Sequence, residues 1–284
     1  MDHFTPFLPN ELYTVVGYPI AHSLSPLVHN SGFQLLKLKA IYLKLSIEPS
    51  NLALFVQSCR LLPIRGCSVT MPHKQEIMKY LDKITPIARK IGAVNTLFWD
   101  ACVLWGDNTD CAGFLAPLAA VDLTNKKALI LGAGGACRAL ICGLQEKQLA
   151  EIYLCTPSNK RHLELAREFG CKDINWDERH NVAVDLVVNA TPLGMFGPNL
   201  DASAYDFKKA QDLTHALPKI AYDIVYDPYT TRFLKEAQDL GIQTISGFEM
   251  FFAQANAQFV LWTSQNLPKE SKEILRKVLL NQAN

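Results

Sequence analysis

The sequence has almost no net charge: Lys and Arg number 28 against 27 Asp and Glu, a balance of +1. No field of one sign is available to draw nucleic acid or an anionic membrane, so a small molecule is the expected partner. No window approaches the ~18 consecutive apolar residues that a membrane-crossing helix needs. The first residues, MDHFTPFLPNELY, lack a basic n-region and an apolar h-region, and a cytoplasmic location is expected. Eight cysteines are scattered singly (59, 67, 102, 111, 137, 142, 155 and 171), with no CxxC pair and no histidine at zinc-ligand spacing beside them. They read as small apolar residues in a reducing compartment, and no metal is expected. Repeats, low-complexity tracts and charge runs are also missing, and only the first ten residues are expected to be disordered.

With 284 residues the chain can bury a sizeable core, and the size of ordinary domains suggests about two of them. Leu12 to Val16 reads as a strand closed by Gly17-Tyr18-Pro19. Ser25-Pro26 then reads as a helix start, with Ser25 as N-cap and Pro26 as the first helical residue. Strands at Ile41 to Ile47 and Gly66 to Val69 flank a helix-period segment from Pro49 to Leu62, which predicts a parallel sheet with crossover helices. Asn95 to Trp99 and Val103 to Trp105 read as two further strands. From Lys127 the pattern is strand KALIL, a glycine loop, a helix to Gln145, strand EIYLC, a helix from Lys160 to Phe169 and a strand from Val184 to Val188: half of a doubly wound nucleotide fold. Strands at Ala221 to Val225 and Gln243 to Ile245 enclose a helix from Arg232 to Leu240. Two helices, Gly247 to Thr263 and Lys269 to Leu280, close the chain and are expected to return to the first domain. The expected division is 1–110 with 247–284 as a substrate-binding and catalytic domain, and 111–246 as a Rossmann-like dinucleotide-binding domain.

Gly132-x-Gly134-Gly135-x-Cys137 follows an apolar strand and opens a helix, which is the context a dinucleotide loop requires. The first glycine permits the tight turn, and the second lets backbone N–H groups approach a pyrophosphate at the helix N-terminus. Cys137 stands where a third small residue is usual. An NAD site should present an acid about 20 residues on, yet the strand ends LCTPSNKRH, with no acid before Glu164. Ser158, Asn159, Lys160 and Arg161 are instead suited to a 2′-phosphate, since cations at a positive helix terminus call for an anion. NADP is the expected cofactor.

Four earlier phrases carry candidate chemistry: SLSP (Ser23 to Pro26), VTMPHK (Val69 to Lys74), GAVNT (Gly92 to Thr96) and GDNTD (Gly106 to Asp110). Taken singly, Lys74 reads as a solvated lysine, Asp110 and Ser25 as helix caps, and Asn95 as a strand start. Their order changes that reading. With GYPIAHSLSP (Gly17 to Pro26), GAGGA (Gly132 to Ala136), NATPLGM (Asn189 to Met195), YDIVYDP (Tyr222 to Pro228) and GFEMFFAQA (Gly247 to Ala255), the chain resembles the shikimate dehydrogenase family from Tyr13 to about Gln265.

The resemblance implies reversible NADPH-linked reduction of 3-dehydroshikimate to shikimate, a step of chorismate and aromatic amino acid biosynthesis. It implies that Ser23, Ser25 and Tyr226 hold the substrate carboxylate, and that Ser68, Thr70, Lys74, Asn95, Asp110 and Gln254 surround the ring. Lys74 and Asp110 would be the catalytic pair. Gly132, Ala133, Gly134, Gly135, Ala136, Ser158, Arg161, Thr191, Ile224 and Gly247 would line the cofactor. A lysine ammonium suits ketone reduction, because it both polarises the oxygen and supplies a proton. An ionised Asp110 beside it would favour the ammonium, whereas desolvation would oppose it.

Two phrases depart from the family pattern. The usual Asn-Val-Thr is Ser68-Val69-Thr70, so restoring the carboxamide is expected to tighten shikimate. The usual Asn-Arg-Ser/Thr is Thr156-Pro157-Ser158, so Arg161 is the remaining candidate for the 2′-phosphate. The rival readings are a quinate/shikimate or amino-shikimate dehydrogenase with relaxed or NAD use, and a non-catalytic regulatory protein, which would be expected to lose Lys74 or Asp110. Both a monomer and a homodimer fit the sequence.

Overall fold

In the computed structural model, which describes residues 8–158 and 160–282, the chain forms two compact α/β units. One runs to Thr109 and takes in Ala255–Leu275; the other covers Asp110–Gln254 and the chain from Arg276. Asn159 and residues 1–7 of the expected disordered start lie outside the described residues.

The first unit opens with β1 (Glu11–Gly17), α1 (Ser25–Leu35), β2 (Ala40–Ser46), α2 (Leu52–Cys59) and β3 (Ile64–Val69). β1 is parallel to both β2 and β3, as crossover helices require. Then β4 (Lys83–Ile84), α3 (Pro86–Ile91), β5 (Thr96–Asp100) and β6 (Val103–Asp107) complete a six-stranded sheet in the order β2-β1-β3-β5-β6-β4. β5 is antiparallel to both of its neighbours, so this sheet is mixed. The helix at α1 includes Ser25 as its first residue, with Leu24 in the capping position and no side-chain cap. The N-cap role expected for Ser25 is therefore not what its hydroxyl does.

The second unit contains α4 (Asp110–Leu115), β7 (Lys127–Leu131), α5 (Cys137–Glu146), β8 (Glu151–Cys155), α6 (Arg161–Phe169), β9 (Lys172–Asp173) and β10 (Leu186–Asn189). It continues with α7 (Phe207–Thr214), β11 (Ile220–Asp223), α8 (Arg232–Asp239) and β12 (Gln243–Ile245). All six strands are parallel, in the order β12-β11-β10-β7-β8-β9. The strand order reverses between β7 and β10, which is where such sheets bind nucleotides. Period-2 alternation along β7 sends Ala128 and Ile130 into one apolar layer and Leu129 and Leu131 into the other. Both faces of the sheet are thus covered, and the central strands read as unbroken apolar runs.

The last helices are α9 (Gly247–Thr263) and α10 (Lys269–Gln282), and the boundary between the units falls within each of them. No helix among the described residues is long and apolar enough to cross a membrane.

Candidate active site

Lys74 lies half-buried in the turn after β3, and its backbone is held from two sides. Val94 N donates to Lys74 O at 2.8 Å, and the neighbouring His73, 1% exposed, is joined through Nε2 to Ile47 O at 2.7 Å. The next residue after Val94 is Asn95, 2% exposed, whose carboxamide bonds to Thr109 through both of its polar atoms. Its Nδ2 donates to Thr109 Oγ1 at 3.0 Å and its Oδ1 accepts from Thr109 N at 2.8 Å. A single two-residue segment, Val94-Asn95, therefore anchors the backbone of Lys74 and that of the residue before Asp110. Thr70, half-buried at the end of β3, donates its N–H to Val16 O at 2.9 Å.

Ser23 and Ser25 sit together at the start of α1, with Ser23 Oγ 3.2 Å from Ser25 Oγ. The Ser25 side chain also reaches the hydroxyl of Tyr42. From there a directed chain runs inward. Tyr42 OH donates to Ser68 Oγ at 2.6 Å, and Ser68 Oγ donates to Gln258 Oε1 at 2.8 Å. Gln258 Nε2 in turn donates to Thr96 Oγ1 at 3.0 Å, and Thr96 Oγ1 to Asn95 Oδ1 at 2.6 Å. Because the Gln258 amide donates toward Asn95 and Thr96, its oxygen faces Ser68, and each hydroxyl has one direction left. Burial pushes the Tyr42 phenol well above its ordinary value, so it remains a neutral donor. Its ring lies on that of the fully buried His29, centroids 4.5 Å apart and 12° from parallel.

Asp110 is the first residue of α4 and is 6% exposed. On α9, Gln254 donates its amide to Phe251 O at 3.0 Å, and an added Cβ at Gly113 would come within 2.7 Å of Gln254 Cβ. The absence of a side chain at Gly113 thus lets α4 lie against α9. Tyr226 is half-buried and stacks on Phe251, centroids 4.3 Å apart.

The glycine loop has the shape a dinucleotide needs. Gly132 has φ of 120°, and a Cβ there would lie 2.5 Å from Ala190 O. At Gly134 the same addition meets nothing within 4 Å, leaving open space over the loop. Ala136, which precedes α5, supplies no side-chain cap, and the first turn is held by backbone alone, Cys137 N donating to Gly134 O at 3.1 Å and Ala139 N to Ala136 O at 2.9 Å. Ala133 and Ala136 are half-buried and Gly135 is exposed. Cys137 is fully buried as the third small residue, and burial pushes its thiol up to about 12.

Past the end of β8, Ser158, Lys160 and Arg161 are all exposed. Lys160 precedes α6 and Arg161 begins it, without a side-chain cap, so two cations stand at a positive helix end. On the other side of the strand-order reversal, Thr191 follows β10 and Ile224 follows β11. At Gly247 a Cβ would lie 2.4 Å from Val225 O and 2.6 Å from Ile224 O, so only glycine permits this close approach of backbone.

Residues 15–97 match the family model for the shikimate dehydrogenase substrate binding domain. The shikimate dehydrogenase (NADP(+)) of Pelobacter propionicus is 46% identical over 264 residues, 92% of this chain and 94% of that relative. The one from Oleidesulfovibrio alaskensis is 43% identical, covering 93% of each chain. Among solved structures, the shikimate 5-dehydrogenase of Thermus thermophilus in complex with NADP(H) and shikimate superposes with a TM-score of 0.82 at 34% identity, over 95% of this chain and all of that one. The chain belongs to the shikimate dehydrogenase family.

For a shikimate dehydrogenase, sequence reasoning passed over two residues beside the expected substrate site, Tyr42 and Gln258. Neither carries a local signal. Tyr42 is an apolar-looking strand residue, 26 positions from Ser68, and Gln258 lies 190 positions away on α9. It also passed over Asn189 and Asp223, which are fully buried at the ends of β10 and β11.

Proposed function

We propose that this chain catalyses the reversible NADPH-linked reduction of 3-dehydroshikimate to shikimate in the cytoplasm, as a monomer or homodimer, with Lys74 and Asp110 as the catalytic pair. Residues 1–110 with 247–284 would serve the substrate, and 111–246 the dinucleotide. The observation that carries the assignment is the Val94-Asn95 segment, which fixes the backbones of Lys74 and Thr109 by hydrogen bonds of 2.8 Å each. Ser23, Ser25 and Tyr226 are assigned to the carboxylate, and Ser68, Thr70, Asn95 and Gln254 to the ring oxygens. NADPH, when bound, supplies the hydride. The Lys74 ammonium hydrogen-bonds the ketone oxygen and gives it a proton as negative charge develops there, and Asp110 orients the ammonium. In the reverse direction the Lys74 amine takes that proton from the hydroxyl.

For the dinucleotide, the open space at Gly134 and the uncapped start of α5 fit a pyrophosphate, and the cations before and at the start of α6 fit a 2′-phosphate. Arg161→Ala is accordingly expected to raise KM for NADPH about tenfold or more while changing KM for NADH little, through loss of a charge-assisted contact. Steady-state rates with both cofactors check this, and an equal effect on the two would remove Arg161 from the phosphate site.

The buried position of Ser68 reverses the expectation for its replacement. Ser68 is 6% exposed and its hydroxyl is engaged on both sides, by Tyr42 and by Gln258, so a longer carboxamide must displace one of them. Ser68→Asn should therefore weaken shikimate several-fold and lower Tm by a few degrees. A lower KM for shikimate in the variant would contradict this.

The decisive test of the whole assignment is a panel of shikimate and quinate against NADP and NAD, followed by absorbance of the reduced nicotinamide. Shikimate with NADP should be the best pair. Comparable efficiency with quinate or NAD would replace this reading by a relative of relaxed specificity, and no turnover in any pair would point to a binding protein.

A further inference from the structure

Beside the strand-order reversal, the last residues of β10 and β11 are paired in register, Asn189 opposite Asp223, and both are fully buried. The Asp223 carboxylate accepts from three donors: Asn189 Nδ2 at 3.0 Å, Val225 N at 2.9 Å and Thr231 Oγ1 at 2.6 Å. It makes no ion pair among the described residues, and burial pushes its carboxyl up to about 7 against the pull of those donors. A buried carboxyl without a cation is costly, so its presence calls for a role that outweighs the cost.

That role is orientation. Asp223 Oδ1 already accepts from the Val225 N–H, which can only donate, so the Asn189 amide turns Nδ2 toward the same oxygen and Oδ1 away from it. Nδ2 also donates to Leu193 O at 3.0 Å, while Oδ1 accepts from Thr191 N at 3.0 Å and Thr191 Oγ1 at 2.7 Å. If the amide were flipped, its NH2 would face the Thr191 N–H. Asp223 itself holds the N–H of Val225, the residue whose carbonyl lies against Gly247. One carboxylate therefore sets two backbone segments, Ala190-Thr191 and Ile224-Val225. The first of them also packs on the φ-positive Gly132 of the glycine loop.

The 2′-phosphate candidates follow β8 and the pyrophosphate loop follows β7, so the part of a dinucleotide that extends past β10 and β11 is its nicotinamide end. We propose that Asp223 is a positioning residue for that end, acting through the locked orientation of Asn189 to hold the segments after β10 and β11 where the nicotinamide must lie. The inference rests on the dinucleotide reading given above.

The test is NADPH binding to the full chain, measured by fluorescence titration without turnover, together with KM for shikimate and Tm. Asp223→Ala removes the acceptor shared by Asn189 Nδ2 and Val225 N–H and so frees both segments. It should weaken NADPH at least tenfold with KM for shikimate within twofold of wild type. Thr231→Val removes one donor to Asp223 but leaves both of those bonds in place, and should leave NADPH affinity within threefold. Asn189→Ala, which keeps the other two donors on Asp223, should weaken NADPH as Asp223→Ala does, and it carries the test if the latter does not fold. Unchanged NADPH affinity in Asp223→Ala, or equal weakening in Thr231→Val, would overturn the proposal, as would failure of both Asp223→Ala and Asn189→Ala to fold, which assigns the pair to stability alone. If the wild type itself does not bind NADPH, the dinucleotide reading fails instead.

Discussion

Lys74→Ala is expected to lower kcat for shikimate oxidation by on the order of 10² to 10⁴, the usual worth of a positioned proton-transfer group. The fold should survive the change. The Lys74 backbone is held through Val94 N, and the adjoining His73 is held through Ile47 O, so neither contact depends on the ammonium. Asp110→Asn should act in the same direction and mainly on kcat, because an amide cannot orient a cation as a carboxylate does. Turnover followed at the nicotinamide absorbance, with Tm measured alongside, separates loss of chemistry from loss of structure. Near wild-type kcat in both variants would show that this pair does not move the proton.

The second large effect is expected at the glycine loop, where two glycines two residues apart should fail in different ways. Gly132→Ala places a Cβ 2.5 Å from Ala190 O in a backbone with φ of 120°, and both faults lie in main chain that cannot move aside. A loss of about 3 kcal/mol or more of stability is expected, with NADPH binding abolished. Gly134→Ala meets nothing of the protein within 4 Å and its φ is not in the positive range. It should leave Tm unchanged and weaken NADPH by on the order of tenfold or more, because the new methyl occupies space the pyrophosphate needs. Thermal melts and NADPH titrations of the two variants measure this directly. A Tm drop in Gly134→Ala as large as that in Gly132→Ala would show that the open space is closed in solution.

Much of the fold was legible because its signals are local. Strand KALIL, the glycines after it and the apolar face of α5 lie within 20 residues, and the helix Gly247–Thr263 is found at the expected bounds. Other elements were missed for reasons of size or partner. β4 and β9 are two residues each, too short for any period to register, and exist because β6 and β8 offer them a free edge. Helix α3 was missed although its signals were present: Thr85 caps Ala88 N, Pro86 opens it and Gly92 ends it at φ of 70°. At six residues it is shorter than the window in which helical periodicity is counted.

The candidate site divides in the same way. Residue types with a recognisable neighbourhood, such as Lys74 in VTMPHK or Asp110 in GDNTD, could be named from the chain alone, because the phrase around them is itself the signal. Ser25 could be named, but the helix cap read for it is not present: α1 begins at Ser25 and its hydroxyl meets Ser23 and Tyr42 instead. The sequence by itself determined the alternation of strands and helices, the dinucleotide loop, the family and the reaction class, since each rests on contiguous residues. Only the tertiary structure decided that Ser68 is taken up by Tyr42 and Gln258, and that the amide of Asn189 meets Asp223. Those hydrogen bonds join residues 26, 190 and 34 positions apart, and their direction depends on how many donors and acceptors burial brings together at one point.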